Sequence, residues 1–193
     1  MSTLVLASGS PRRAALLRQL GLAFEVVSTD IDERPAARET ARRYVRRMSL
    51  EKLAAARTAL GASVDVVLSA DTEVVVDGRI MGKPRDQADC VAMLRTLSGR
   101  SHQVLTGVSV ASSVGVDNFV VETIVTFRRL TIGECKEYWA TGEPRDKAGG
   151  YGIQGVGAIF VKKIEGSYSN VVGLPLMEVA RILNRHGIDC LST

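Results

Sequence analysis

Three short stretches of this sequence combine hydroxyl, carboxylate and cationic side chains at places where an α/β chain turns. The first is Ser8-Gly9-Ser10-Pro11-Arg12-Arg13, which joins an apolar run to a predicted helix. A helix start offers unpaired N–H groups and the positive end of the helix dipole, so it receives anions. Arg12 and Arg13 oppose that dipole when no anion is present, and a bound phosphate would offset the repulsion. Taken alone, the segment also reads as a solvated first turn.

The second stretch centres on Asp71, which follows the apolar run 64–70. In open α/β sheets ligands gather beyond the carboxyl ends of strands. A carboxylate there can hold a divalent cation or take a proton from water. Asp32 and Glu33, in the loop after another predicted strand, offer a second oxygen ligand.

The third clue is Lys52. Ala41, Val45, Met48, Lys52, Ala55 and Ala59 share one helical stripe, so an ammonium stands among core-facing positions. Either the side chain snorkels from the core edge, or it meets a phosphate or carboxylate. Lys83 and Lys147 add further positive charge. The only histidines are His102 and His186, and Cys90, Cys135 and Cys190 are far apart without a C-x-x-C pair. A His-rich or thiolate metal centre is thereby disfavoured, and oxygen ligands suit Mg²⁺ or Mn²⁺. With no histidine base and no activated nucleophile, the inventory suits metal-assisted attack of water on a polyphosphate.

The elements that must position these groups alternate between strand and helix. A strand is expected over 3–7, followed by a helix with Ser10 as N-cap and Pro11 at its first position. A strand over 24–28 precedes a helix over 40–60 that closes at Gly61. Strands over 64–70, 73–76 and 79–81 follow, the last two flanking the hairpin dipeptide Asp77-Gly78. A helix over 86–97 leads to an antiparallel pair over 104–111 and 119–130. Thr131 and Glu134 have capping-box spacing for a helix to 140. A glycine-rich stretch, a strand over 158–164 and a last helix over 176–185 complete the chain. The expected class is one α/β domain over 1–193 with a mixed twisted sheet and flanking helices.

With 193 residues, 46% hydrophobic and 24% charged, the composition is that of a soluble globular enzyme. No run is long enough to span a bilayer and no secretory signal precedes Arg12, so a cytoplasmic protein is expected. A net charge of +4 suits polyanions in general. An aromatic content of 5% argues against a base-stacking platform, and Arg38, Arg42, Arg43, Arg46 and Arg47 read as a solvated helix face. No nucleic-acid or membrane partner is expected, and a homodimer is allowed. Gly150, Gly152 and Gly155 match G-x-G-x-x-G, but polar residues precede them and a strand is expected after them, which rejects a dinucleotide fingerprint. The stretch 78–83 is one residue short of a Walker A loop, and Pro84 replaces its hydroxyl residue.

Long blocks of the sequence resemble the Maf (septum formation inhibitor) family. They include Leu6-Ala7-Ser8-Gly9-Ser10-Pro11-Arg12-Arg13, Ser69-Ala70-Asp71-Thr72, Gly82-Lys83-Pro84 and Ser98-Gly99. The blocks His102-Gln103-Val104, Asp146-Lys147-Ala148-Gly149-Gly150-Tyr151-Gly152-Ile153-Gln154-Gly155 and Gly173-Leu174-Pro175-Leu176 extend the match, in order, to nearly the whole chain. The resemblance implies a divalent-cation-dependent nucleoside triphosphate pyrophosphatase. It also implies a fold similar to the inosine triphosphate pyrophosphatases, with two lobes around a cleft. On it, the catalytic aspartate falls on Asp71. Phosphate and metal positions fall on Ser8, Arg13, Glu33, Lys52 and Lys83, and base choice on Arg12, Thr72 and Gln154. The Pro-Arg-Arg, Ala-Asp-Thr and Tyr-Gly-Ile-Gln-Gly blocks resemble the branch acting on dTTP and UTP. The competing class is a regulatory protein that restrains septum formation through a partner or DNA. A pure binder has no need of Asp71 beside a cluster of cations.

Overall fold

The computed structural model describes residues 3–61 and 64–191. The strands form a seven-stranded sheet in the order β2-β1-β3-β5-β6-β7, with β4 paired to β3. The chain divides into two compact units, each built from distant segments. One takes the chain up to Asp71, Thr106–Val121 and the chain from Gly173 on; the other takes Thr72–Leu105 and Glu122–Val172.

In the first unit, β1 (Leu4–Ala7) is buried along its whole length. It lies parallel to both β2 (Glu25–Val27) and β3 (Val66–Val76). A strand covered on both faces needs a continuous apolar run, which Leu4-Val5-Leu6-Ala7 supplies. The register sets Ala7 opposite Ser69, which brings Ser8 and Asp71 to the same end of the sheet. α1 (Pro11–Arg18) starts as expected, with Pro11 in its first turn and Ser10 Oγ accepting from the Arg13 N–H. α2 (Ala41–Leu60) is capped by Thr40 and ends at Gly61, whose φ of 64° few other residues adopt. It buries Tyr44, Val45, Met48, Ser49, Leu53 and Ala56. Ala59, expected on this face, is exposed because burial stops one turn before the helix ends.

The approach of α2 to the sheet depends on one glycine. A Cβ on Gly107, in β5 (Ser101–Ser112), would lie 2.1 Å from the Val45 carbonyl oxygen and 2.5 Å from its carbon. Both atoms are backbone, so relief requires the helix to move. Gly107→Ala is expected to cost about 3 kcal/mol, the upper end of the overpacking range. In a chain of this size that is a melting temperature lower by about 6–12 °C. An unchanged melting temperature in calorimetry would refute this close approach.

The second unit has its own core. Val74, Leu94, Leu97, Phe127, Tyr138, Tyr151 and Phe160 are among its buried members. α3 (Gln87–Leu97) is capped by Asp86, and α4 (Ile132–Ala140) by the Thr131–Glu134 capping box expected from spacing. β6 (Gly115–Phe127) follows β5 after two residues, too short a link for anything but an antiparallel pair. It pairs antiparallel with β7 (Val161–Glu165), and β4 (Arg79–Ile80) pairs antiparallel with β3 around Asp77-Gly78. Parallel and antiparallel pairs together make the sheet mixed, as the sequence predicts.

Several boundaries differ from expectation, and β6 runs over 115–127 where 119–130 is expected. β3 continues unbroken through Asp71-Thr72-Glu73, because ladder pairing needs backbone groups rather than apolar side chains. Residues 156–160 form a 3₁₀ helix, so β7 begins only at Val161. A short helix, α5 (Tyr168–Val172), precedes α6 (Leu176–Arg185) and starts where Ser167 Oγ accepts from the Asn170 N–H.

Candidate active site

The first unit gathers its charged groups around Lys52. Its ammonium stands 2.7 Å from Asp71 Oδ1 and 2.7 Å from Glu33 Oε1. The Lys52 side chain is 12% exposed and that of Asp71 10%, whereas that of Glu33 is 53% exposed. Lys52 therefore does not snorkel into water; it bridges two carboxylates. Two negative charges and one positive leave the trio at −1. Asp71 Oδ2 is also buried and makes no hydrogen bond to the described residues. A buried carboxylate oxygen without a partner is costly unless a proton donor or a cation meets it.

The chain builds this trio from three elements. β3 carries Asp71 in its middle, not at its end as predicted, and so holds the carboxylate in a rigid ladder. α2 carries Lys52. Glu33 belongs to the acidic loop after β2, which α2 holds through a 2.7 Å hydrogen bond from Tyr44 Oη to the Glu33 carbonyl. Of the two acidic candidates in that loop, Glu33 reaches Lys52 and Asp32 pairs with Arg34. Hydrogen bonds from Arg34 hold the Asp32 carboxyl down at about 2.

The turn after β1 lies at the same end of the sheet. Arg13 Nη1 donates to Ser8 Oγ at 2.9 Å, and Arg13 Nε donates to the Gly173 carbonyl at 2.8 Å. Ser8 is buried, and its Oγ also accepts from the Ser10 N–H. The guanidinium is thus fixed at the start of α1 beside backbone N–H groups, a geometry for phosphate oxygens. Arg12 is half-buried in the same turn. Asp71, Lys52 and Glu33 form one cluster and Ser8 with Arg13 another, both in this unit.

Thr72, Lys83 and Gln154 belong to the second unit. Thr72 follows Asp71 in β3 and is half-buried, whereas Lys83 and Gln154 are exposed. The Gly149 N–H donates to the Gly82 carbonyl at 2.7 Å, so the Lys83 turn and the glycine-rich segment adjoin. Sequence reasoning missed Glu143, which organises that segment. Its carboxylate accepts from Tyr138 Oη at 2.7 Å, from the Val156 N–H at 2.7 Å and from the Gly157 N–H at 3.2 Å. Burial raises its pKa, but these hydrogen bonds outweigh that and hold the carboxyl below its ordinary value. A Cβ on Gly155 would lie 2.3 Å from Glu143 Oε2, which is why glycine occupies that position. The loop bearing Gln154 is pinned at Val156 and Gly157 while Gln154 itself faces outward.

Within the same segment, Tyr151 Oη bonds the buried His102 Nε2 at 2.8 Å. Burial pushes His102 down to about 4, so the ring is neutral at pH 7. Lys147, a sequence candidate for phosphate, instead donates to the Glu143 carbonyl and pairs with Asp146. The arginine face of α2 is committed too: Arg47 pairs with Glu39 and Glu51, and Arg46 bonds Asn118. These contacts fit a solvated structural face.

A divalent cation can be tested against these residues. Among the described residues no group of three or more His, Cys, Asp or Glu is placed to hold a metal. Asp71, with its buried Oδ2, and Glu33 provide two carboxylates. That suits Mg²⁺ or Mn²⁺, which take remaining oxygens from water and substrate phosphates, and not a caged structural metal. No helix among the described residues is long and apolar enough to cross a membrane.

A Vibrio vulnificus protein named dTTP/UTP pyrophosphatase is 53% identical over 184 residues, which is 95% of this chain and 98% of that protein. Proteins of the same name from Vibrio parahaemolyticus and Vibrio cholerae are 54% and 52% identical, over 94% and 96% of this chain and 95% and 98% of those proteins. Among solved structures, the Ham1 protein of Staphylococcus aureus aligns at a TM-score of 0.47 and 16% identity, covering 65% of this chain and 72% of that one. A dITP/XTP pyrophosphatase from Mycobacterium abscessus aligns at 0.40 and 19%, covering 66% and 75%. The Maf-like protein family matches residues 3–186, nearly the full length, and the chain belongs to that family.

Proposed function

We propose that this protein hydrolyses dTTP and UTP to the nucleoside monophosphate and pyrophosphate, with Mg²⁺ or Mn²⁺, in the cytoplasm. The observation that carries the reading is the buried Asp71 Oδ2, held without a hydrogen-bond partner beside an ammonium that neutralises Oδ1. This oxygen accepts the proton of the attacking water or ligates the metal. Lys52 orients the Asp71 carboxylate through its 2.7 Å contact with Oδ1, and its other donors face the polyphosphate. Arg13, fixed by Ser8 and Gly173, orients phosphate oxygens at the start of α1, and Lys83, in the second unit, is proposed as a further phosphate-binding cation. Glu33 and Asp71 would hold the cation. When bound, it supplies Lewis-acid neutralisation of the phosphate oxygens. The three Vibrio relatives named for dTTP and UTP support the choice of substrates.

Base choice falls to Arg12, Thr72 and Gln154. Gln154 offers a donor and an acceptor on a loop pinned by Glu143, which suits the alternating acceptor and donor edge of uracil and thymine. Such a site discriminates because the wrong base leaves polar groups unpaired. Gln154→Glu is expected to lower kcat/KM for UTP and dTTP about tenfold, equivalent to about 1.4 kcal/mol. Activity on a guanine nucleotide, whose edge presents adjacent donors, should fall less or rise. Equal losses on all nucleotides would remove Gln154 from base reading. The functional reading as a whole is tested by a turnover screen across eight canonical triphosphates, with pyrophosphate and phosphate detected separately. Preferred turnover of dTTP and UTP supports it, and preference for a purine triphosphate would overturn the substrate assignment.

A further inference from the structure

Three serines that the proposed chemistry does not use are fully buried under α2: Ser49, Ser69 and Ser109. Ser69 Oγ donates to the Ser49 carbonyl at 2.7 Å. Ser109 Oγ donates to Ser49 Oγ at 3.0 Å. Asn118 Nδ2 closes the group, 2.8 Å from Ser109 Oγ and 3.1 Å from Ser49 Oγ. The first of these bonds joins α2 to β3, the two elements that carry Lys52 and Asp71.

The spacing gives this polar seam its meaning. Lys52 is three residues beyond Ser49, hence on the same face of the helix. Asp71 is two residues beyond Ser69, hence on the same side of the strand. One hydrogen bond therefore ties the nearest same-face neighbours of the ion pair to each other. Apolar contact is non-directional and leaves a helix free to slide or roll on a sheet. Hydrogen bonds weaken steeply with angle and distance, so they fix the offset. Gly107 allows the helix backbone close enough for such short side chains to span the gap.

We propose that Ser69, with Ser49, Ser109 and Asn118, is a positioning group that sets the register of Lys52 against Asp71. The inference rests on the reading that this pair acts on the polyphosphate. It gives buried hydroxyls in a small core a role that valine or alanine could not fill.

The test is a double-variant cycle on the full chain with dTTP and Mg²⁺. Ser69→Ala leaves the Ser49 carbonyl its place in the helix ladder, so folding should survive with a small drop in melting temperature. Its kcat should fall about tenfold with KM changed less than about twofold, because register affects the reacting geometry more than ground-state binding. In a Lys52→Met background the same substitution should change kcat less than about twofold. Ser69→Cys, close in volume and a weaker donor, serves in the same comparison if the alanine variant does not fold. A folded Ser69→Ala with parental kcat, or an undiminished tenfold loss in the Lys52→Met background, would overturn the seam alone. Normal turnover by Lys52→Met itself would overturn the underlying reading and the seam with it.

Discussion

Asp71→Asn should turn over dTTP about 10²-fold or more below the parent while keeping its fold. The amide preserves size and shape but neither accepts a proton at pH 7 nor ligates a divalent cation strongly. General-base catalysis is worth about 10²–10⁴-fold, which bounds the loss. Asp71 is buried in the middle of β3, not at the strand end that the apolar run 64–70 predicts. Folding should nevertheless hold, because the amide keeps the side chain's shape and Lys52 retains Glu33 as its partner. Measuring kcat and melting temperature on one preparation checks both statements. A well-folded Asp71→Asn protein with near-normal turnover would remove this residue from the chemistry.

Lys52→Met is expected to lower kcat/KM about 10²-fold and to lower the melting temperature as well. The sequence alone suggests the opposite sign for stability, since an ammonium among apolar positions is costly to bury. The structure reverses it. Removing Lys52 leaves Asp71 and Glu33 at −2 with nothing between them, and Asp71 has little water to compensate. Breaking a fully buried pair costs about 3–5 kcal/mol. The half-exposed Glu33 discounts this to about 1–3 kcal/mol. Millimolar Mg²⁺ should restore part of the lost melting temperature by entering between the carboxylates, a gain that linkage makes proportional to its occupancy. Unchanged catalysis with raised stability would show that Lys52 only packs.

Much of this arrangement is legible in local chemistry. Ser10 and Thr131 cap helices where their spacing predicts, because capping is a contact across three residues. The Asp77-Gly78 turn is equally local. Lys52 stands out by interrupting an apolar stripe, and its partners are two of the three carboxylates singled out by position, Glu33 and Asp71, while Asp32 pairs with Arg34. What could not be read depends on distant pairing. Nothing near Asp71 announces that β3 runs on to Val76, since ladder bonds to its neighbours decide that. Glu143 lies in a polar stretch indistinguishable from a solvated loop until Tyr138, Val156 and Gly157 converge on it. The serine seam was equally silent, although a serine inside the apolar run 64–70 is the kind of local inconsistency that marks a buried partner. Lys147, a cation the sequence offers for phosphate, contacts Glu143 and Asp146 of its own loop, which sequence alone does not announce.

On the proposed reading the Asp71 cluster serves hydrolysis between the α and β phosphates of a pyrimidine triphosphate. The most direct test is the initial product of dTTP turnover by the full chain, read by phosphorus NMR with Mg²⁺ and again with excess chelator. The expected result is dTMP and pyrophosphate in equal amounts from the first turnovers, and no products once the metal is removed. Accumulation of dTDP with orthophosphate, or undiminished turnover in chelator, would contradict it.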